Sequence, residues 1–135
     1  MKRNTILSAV MVIFAAAIMI SFTAPEDPKP WEVPAKNKSM ENPEEANTES
    51  VKVGRMLYNK NCASCHGKTG LGNGTKARGL DTHPGDFSGD YYQSQTDGEH
   101  FFKTKAGRSE MPKYDGKVDD EDIWHIVNFM RTLKK

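Results

Sequence analysis

The chain has 135 residues, which suits one small domain and leaves little room for a second. Hydrophobic residues make up 36% of it and charged residues 27%, the balance of a water-soluble domain with a modest core. The formal net charge is only +1, and the basic residues are scattered without interleaved aromatic residues. No nucleic-acid partner is therefore predicted.

Residues 1–24 are predicted to carry the chain across a membrane. Lys2 and Arg3 precede an uncharged apolar run over residues 6–22, the pattern of a secretory signal. The small residues 15–17 would permit cleavage, but the run also lies at the lower limit for spanning a bilayer as an uncleaved anchor. Both alternatives place the rest of the chain in the periplasm or on the outer face of a bacterial cytoplasmic membrane.

Residues 25–48 are predicted to form an acidic, Pro-rich linker. Five of the seven prolines fall there, and residues 25–50 hold three Lys against seven Asp and Glu residues. Such a segment buries too little apolar surface to fold alone, and its prolines favour an extended form. The linker would tether the domain if the N-terminal segment is kept as an anchor.

The folded domain is predicted over residues 49–135, and its first helix spans about residues 49–61. Thr48 or Ser50 is expected to cap this helix, because a hydroxyl can accept from the free N–H groups of the first turn. Gly54 in the interior costs about 1 kcal/mol relative to Ala. This cost indicates that another helix approaches the backbone closely at Gly54.

Two further helices are predicted downstream. One covers about residues 97–105, with Phe101 and Phe102 on its apolar side and Gly107 at its end. The other follows the acidic residues 119–122, whose charge favours the N-terminal end of a helix. Its apolar residues then recur at helical spacing, at Ile123, Val127 and Met130.

The predicted fold class is all-α, with about three helices and much Gly-rich loop, above all over residues 62–89. So little helix cannot close a core by itself, and a long irregular stretch needs something else to fill the space. A large, flat, apolar cofactor would fill it.

The residues Cys62-Ala63-Ser64-Cys65-His66 match the C-x-x-C-H pattern of covalent haem attachment. Two thiols at this spacing can each add to one vinyl group along an edge of the porphyrin, and the following imidazole then reaches the iron. A disulfide would close too short a loop to constrain the unfolded chain much. Zinc would need a second ligand pair, and a thioredoxin-like site would need a βαβ unit; neither pattern is present.

Met111 is the candidate for the second axial iron ligand. It lies in a polar loop beside the rigid Pro112, forty-five residues after His66. Met/His ligation raises the potential of a haem iron. His83 and His100 remain alternatives, since a loop or a helix start could bring either to the iron. The other methionines of the domain, Met56 and Met130, lie on predicted helices and are expected to pack in the core.

From about Glu49 to Leu133 the sequence resembles the class I monohaem c-type cytochromes. The resemblance is carried by the haem-attachment motif and by Gly54, Tyr58, Gly67, Met111-Pro112, Trp124, Val127 and Leu133. It implies an all-α domain around one covalently bound haem c per chain. Cys62 and Cys65 would form the thioethers, His66 would be the proximal iron ligand and Met111 the distal one.

The resemblance also implies that the first and last helices cross near Gly54, with Trp124 packed there against the haem edge. Pro84 is its match for a family proline whose backbone carbonyl accepts a hydrogen bond from the proximal histidine. That bond would fix the ring orientation of His66.

The function predicted is electron transfer in an exported respiratory-type chain, and not catalysis. The alternatives are a haem-based gas sensor or small haem enzyme with a labile sixth ligand, and an electron-transfer subunit docked to a larger membrane complex. A monomer is expected, and its redox partners should present an acidic docking face. The basic residues that could line the haem edge are Lys60, Lys68, Lys76, Arg78, Lys103, Lys105 and Lys113.

Overall fold

The computed structural model describes residues 30–135, of which Glu32–Lys135 form one compact unit. The described part contains six α-helices, one 3-10 turn and no strand, which confirms the predicted all-α class. The helices are α1 (Ala35–Lys38), α2 (Thr48–Asn61), α3 (Ala63–His66), α4 (Asp90–Gln93), α5 (Asp97–Ala106) and α6 (Asp120–Arg131), and the 3-10 turn covers Ala77–Gly79. The predicted export segment lies outside the described residues. None of the helices described is long and apolar enough to cross a membrane.

The three longest helices are the three that the sequence predicts. Helix α2 begins at Thr48, but its N-terminal cap is Asn47, whose side chain accepts from the N–H of Ser50 at 2.9 Å. The prediction of Thr48 or Ser50 as the cap is therefore wrong. The Ser50 hydroxyl is instead buried between helices, where it lies 2.8 Å from Nδ1 of His125.

Helices α2 and α6 cross at Gly54, as the resemblance implies. A Cβ atom added to Gly54 would collide with the backbone carbonyl oxygen of His125 and lie 3.1 Å from the amide nitrogen of Ile126. Trp124, in the same helix as His125, stacks on Phe101 of α5 at 4.1 Å between ring centroids. The missing side chain of Gly54 therefore sets the distance between the two helices that form the core.

Helix α6 supplies much of that core, because its apolar side is wide. Six of its twelve residues are buried and hydrophobic, and they pack with Tyr58 of α2 and Phe101 of α5: Ile123, Trp124, Ile126, Val127, Phe129 and Met130. Met130 is buried as predicted. Met56 is 57% exposed, so its predicted core position is wrong. The buried residues of α2 recur at positions 50, 54 and 58, and Met56 lies on another face of the helix.

The segment predicted as a linker belongs to the compact unit from Glu32 onward and packs on these helices. Asn42 donates to the side-chain oxygen of Asn128 in α6 at 2.9 Å, and Asn128 in turn donates to the carbonyl of Glu44 at 3.0 Å. Val33 is buried, and the hydroxyl of Thr96 donates to the carbonyl of Lys38. The compact unit thus begins at Glu32 and not at residue 49. Polar side chains fix this segment, so its low hydrophobicity did not reveal the contact.

Candidate haem site

The two cysteines and His66 lie on one short turn directly after α2. At the start of helix α3, the amides of Cys65 and His66 both donate to the carbonyl of Cys62, at 3.1 and 3.0 Å. The Cys62 amide itself donates to the carbonyl of Tyr58 in α2 at 2.8 Å. The backbone of Cys62 is therefore hydrogen-bonded to both helices, and this residue joins the motif to α2 and the core.

The following loop fixes the turn from its other end. Amides of residues 72, 74 and 76 donate to the carbonyls of His66, Cys65 and Ser64 at 2.9, 3.1 and 2.8 Å. These carbonyls would otherwise be the unsatisfied end of a helix. Gly74 permits the approach, because a Cβ there would lie 2.6 Å from the carbonyl oxygen of Ala63. The Gly-rich loop thus wraps closely around the motif.

The hydroxyl of Tyr58 adds a contact across the turn. It is buried and donates to the carbonyl of Gly67 at 2.8 Å, joining α2 to the residue after His66. Burial, with a smaller contribution from Cys62, raises the pKa of this phenol above its ordinary value. Tyr58 therefore remains a neutral hydrogen-bond donor at any physiological pH.

The ring of His66 begins a row of four stacked rings. It stacks on Phe87 at 4.4 Å between centroids, Phe87 stacks on Tyr92 at 4.2 Å, and Tyr92 stacks on His100 at 4.1 Å. The angles between neighbouring ring planes are 21–29°, so the rings are nearly parallel. No sequence pattern indicated this row, because a loop between the motif and α4 brings Phe87 against His66. The row restricts the orientation of the His66 ring through packing.

His66 is held as a neutral imidazole. Burial lowers its pKa to about 4, and the backbone of Pro84 acts in the opposite direction. Its Nδ1 atom is buried and makes no hydrogen bond to any of the residues that the structure describes, and the backbone of Pro84 lies beside the ring. A neutral imidazole is the form that can coordinate a metal.

Met111 lies in a tight reverse turn between α5 and α6. The amide of Arg108 donates to the carbonyl of Met111, and the amide of Met111 donates back to Arg108, both at 3.0 Å. Ser109 inside this turn has a φ of +53°, which is uncommon for a residue other than glycine. The turn thus holds the Met111 backbone through two hydrogen bonds.

The end of the Met111 loop reaches the cysteines. The hydroxyl of Tyr114 donates to the carbonyl of Asn61, the residue before Cys62, at 2.6 Å. Burial, with contributions from Cys62 and Cys65, raises the pKa of Tyr114 to about 12. Tyr114 was not identified from the sequence, since an aromatic residue three positions after a methionine has no special pattern.

The other histidines occupy different positions. His83 is exposed, and its Nδ1 accepts from the amide of Gly85 at 3.0 Å. His100 is only 1% exposed, and neither ring nitrogen makes a hydrogen bond within the part of the chain that the structure describes. Burial, then the charges of Arg131 and Lys103, lowers its pKa to about 3. His125 is an interhelix residue, as its bond to Ser50 shows.

The residues present fit a covalently bound haem. Cys62 and Cys65 are not joined in a disulfide, so both thiols are available. They lie on the same turn as a half-buried, neutral imidazole, which is the donor set that a c-type haem requires. Burial and the neighbouring Cys65 raise the pKa of the Cys62 thiol to about 12, so Cys62 is a protonated thiol rather than a preformed metal-binding thiolate.

An all-α domain with this motif directly after its first long helix defines a c-type cytochrome. The model of the family described as "Cytochrome C oxidase, cbb3-type, subunit III" matches residues 49–130, and the chain belongs to that family. Its members are c-type cytochromes with covalently bound haem c, which typically carry electrons and are typically exported. The prediction of one haem c per chain is thereby confirmed.

Comparison with solved structures agrees with this assignment. Six chains of known structure match, among them the KustC0563 c-type cytochrome. That protein is 26% identical over 61% of this chain and 98% of its own length, with a TM-score of 0.54. No curated protein sequence matches the chain.

Proposed function

We propose that this protein is an electron carrier whose single haem c is bound through thioethers to Cys62 and Cys65, with His66 and Met111 as axial iron ligands. The observation that carries the proposal is the short helix α3. It presents two free thiols and a half-buried imidazole on one turn, and amides of the following loop donate to the carbonyls of that turn. Such a turn is preorganised for attachment and ligation at once.

The haem, when bound, supplies a one-electron iron couple, and the protein supplies binding, orientation and burial. The two cysteines would prevent dissociation. The aromatic row would hold the His66 ring in one orientation, and the Arg108–Met111 turn would hold the opposite ligand. Ligands fixed in this way move little when the iron changes charge, which favours rapid electron transfer.

Three observations support Met111 over His83 and His100 as the second ligand. The rings of Phe87 and Tyr92 lie between His66 and His100, so these two histidines could not hold one group directly between them. The loop that carries Met111 ends at Tyr114, beside the cysteines. His83 is exposed and already accepts a hydrogen bond at Nδ1.

The test is the optical spectrum of the holoprotein, oxidised and then reduced, with carbon monoxide added last. We expect a c-type reduced spectrum, a long-wavelength methionine-to-iron band in the oxidised protein, and no response to carbon monoxide. The Met111→Ala variant should lose the band and bind carbon monoxide when reduced. Its potential should fall, because Met/His ligation raises it. Met56→Ala, which removes an exposed methionine, is the matched control and should retain the band.

A high-spin wild-type spectrum that shifts with carbon monoxide would contradict electron transfer with Met111 ligation. It would favour the alternative of a gas sensor or small haem enzyme with a labile sixth position. The other alternative is a subunit docked to a larger membrane complex, and the family description, which names an oxidase subunit, favours it. Co-purification with a membrane complex after a high-salt wash would establish that role.

We propose that the redox partner docks with an acidic surface against basic residues flanking the motif. The exposed basic residues close to the motif in the sequence include Lys60, Lys68, Lys76 and Arg78. Lys105 and Lys113 are less available, because both pair with Asp115. Long-range attraction of this kind increases association rates and is screened by salt.

Charge reversal at Lys60 and Lys76 tests this surface with small redox reagents of opposite sign. We expect the Lys60→Glu/Lys76→Glu variant to react several-fold more slowly with an anionic oxidant and no more slowly with a cationic one. Lys117→Glu/Lys134→Glu carries the same charge change elsewhere and serves as the control. Equal effects of the two pairs would show that net charge, and not this surface, controls the rate.

We also propose export to the periplasm or the outer face of the cytoplasmic membrane, directed by the apolar segment of residues 6–22. Members of the family are typically exported, which agrees with this location. The mass of the isolated protein decides between a cleaved signal and a retained anchor. Recovery of the holoprotein in the cytoplasmic fraction alone would contradict export.

A further inference from the structure

The carboxylate of Glu110 joins two loops that are far apart in the sequence. One oxygen accepts from the amide of Asp81 at 3.1 Å, and the other accepts from the amide of Thr82 at 3.0 Å. Hydrogen bonds from two successive amides to one carboxylate are charge-assisted, and therefore stronger than those to a neutral acceptor. Glu110 thus holds the loop that contains Asp81 and Thr82 at two points, and we call this pair of hydrogen bonds the clamp.

On one side, the clamp is attached directly to Met111. Glu110 is a central residue of the reverse turn that the paired Arg108 and Met111 close with two 3.0 Å hydrogen bonds. Ser109 beside it has a φ of +53°. A non-glycine residue in the left-handed region costs free energy, so the turn benefits from contacts outside itself.

On the other side, the clamped loop leads to His66. Thr82 is followed by His83, whose ring packs against Gly72, and the Gly72 amide donates to the His66 carbonyl at 2.9 Å. The next residue, Pro84, has its backbone beside the His66 ring. The loop that Glu110 holds therefore supports the proximal histidine at two places.

We propose that Glu110 is a positioning residue that holds the Met111 turn against the loop supporting His66, and so keeps Met111 on the iron. This inference rests on the proposed role of Met111 as the distal ligand. A second attachment of the turn is the contact of residues 114 and 115 with the carbonyl of Lys105. Without the clamp the turn would open more often, and the methionine would leave the iron more often.

The experiment measures how readily exogenous imidazole replaces the methionine in the oxidised holoprotein. Imidazole binds only when the methionine is off, so its apparent affinity reports the open fraction. We expect Glu110→Ala to increase the affinity about tenfold, equivalent to about 1.4 kcal/mol. Glu110→Gln, which keeps the shape but only one acceptor oxygen, should give a smaller increase. Glu45→Ala removes an exposed carboxylate elsewhere and should have no effect.

Amide hydrogen exchange at Asp81 and Thr82 tests the clamp without reference to the iron. Both amides should exchange several-fold faster in Glu110→Ala than in the wild type and the Glu45→Ala control. Unchanged exchange would overturn the clamp. Faster exchange with unchanged imidazole affinity would overturn its role in positioning Met111. A methionine-to-iron band that survives Met111→Ala would instead overturn the proposed ligation, whatever the exchange rates show.

Discussion

Replacing Gly54 by Ala is expected to destabilise the domain by about 2 kcal/mol, although the same change in an ordinary helix interior stabilises it by about 1 kcal/mol. The added Cβ would collide with the carbonyl oxygen of His125 and lie 3.1 Å from the amide nitrogen of Ile126. These are backbone atoms of α6, so they cannot rotate away. The helices must separate, and the core between them loses contacts. Denaturant unfolding of the holoprotein measures the effect.

Gly79→Ala provides the matched control. Gly79 lies in the 3-10 turn, and an added Cβ there would meet nothing within 4 Å. We expect this variant to be neutral or slightly more stable, because Ala reduces the freedom of the unfolded chain. If Gly54→Ala proved as stable as Gly79→Ala, the close approach of α2 and α6 would be contradicted.

Replacing both Cys62 and Cys65 by Ala is expected to abolish retention of haem after denaturation. In the wild type the haem should remain on the unfolded chain, because thioether bonds do not dissociate. Each single variant should retain haem through one thioether, with a reduced yield of holoprotein. The intact mass of the denatured protein, with and without the added mass of haem, gives the result directly.

Ser64→Ala changes an exposed residue between the two cysteines and should leave the mass and the yield unchanged. Haem that stayed on the denatured Cys62→Ala/Cys65→Ala variant would show attachment at another residue. Haem that left the denatured wild type would show that the thioethers do not form. Either result would contradict the proposed attachment.

Much of the local structure could be predicted from the sequence. The apolar spacing of α6 and the acidic residues before it located the last helix, since amphipathic periodicity is a property of neighbouring residues. Gly54 indicated a close helix approach because its cost within a helix requires a compensating contact. The C-x-x-C-H motif indicated the cofactor because thioether chemistry fixes the spacing of its residues.

Two of the predictions that were wrong concern side chains of α2. The hydroxyl of Ser50 could have capped the helix, but Asn47 is the cap. The Ser50 hydroxyl instead hydrogen-bonds with the side chains of His125 and Asn128. Met56 has a large apolar side chain and was therefore expected in the core, but it lies on an exposed face of α2. In both cases the sequence was compatible with two arrangements, and the packing of α2 on α6 selected one of them.

The three long helices, the attachment motif and the need for a large apolar cofactor could be predicted from the sequence alone, because each follows from residues close together in the chain. The folded structure was needed to show which distant residues support the site. The bond between Asn42 and Asn128, the stacking of His66 on Phe87 and the clamp from Glu110 to the loop before His83 all depend on the paths of loops. Those paths are set by the sum of many weak contacts across the whole domain, and no local pattern encodes them.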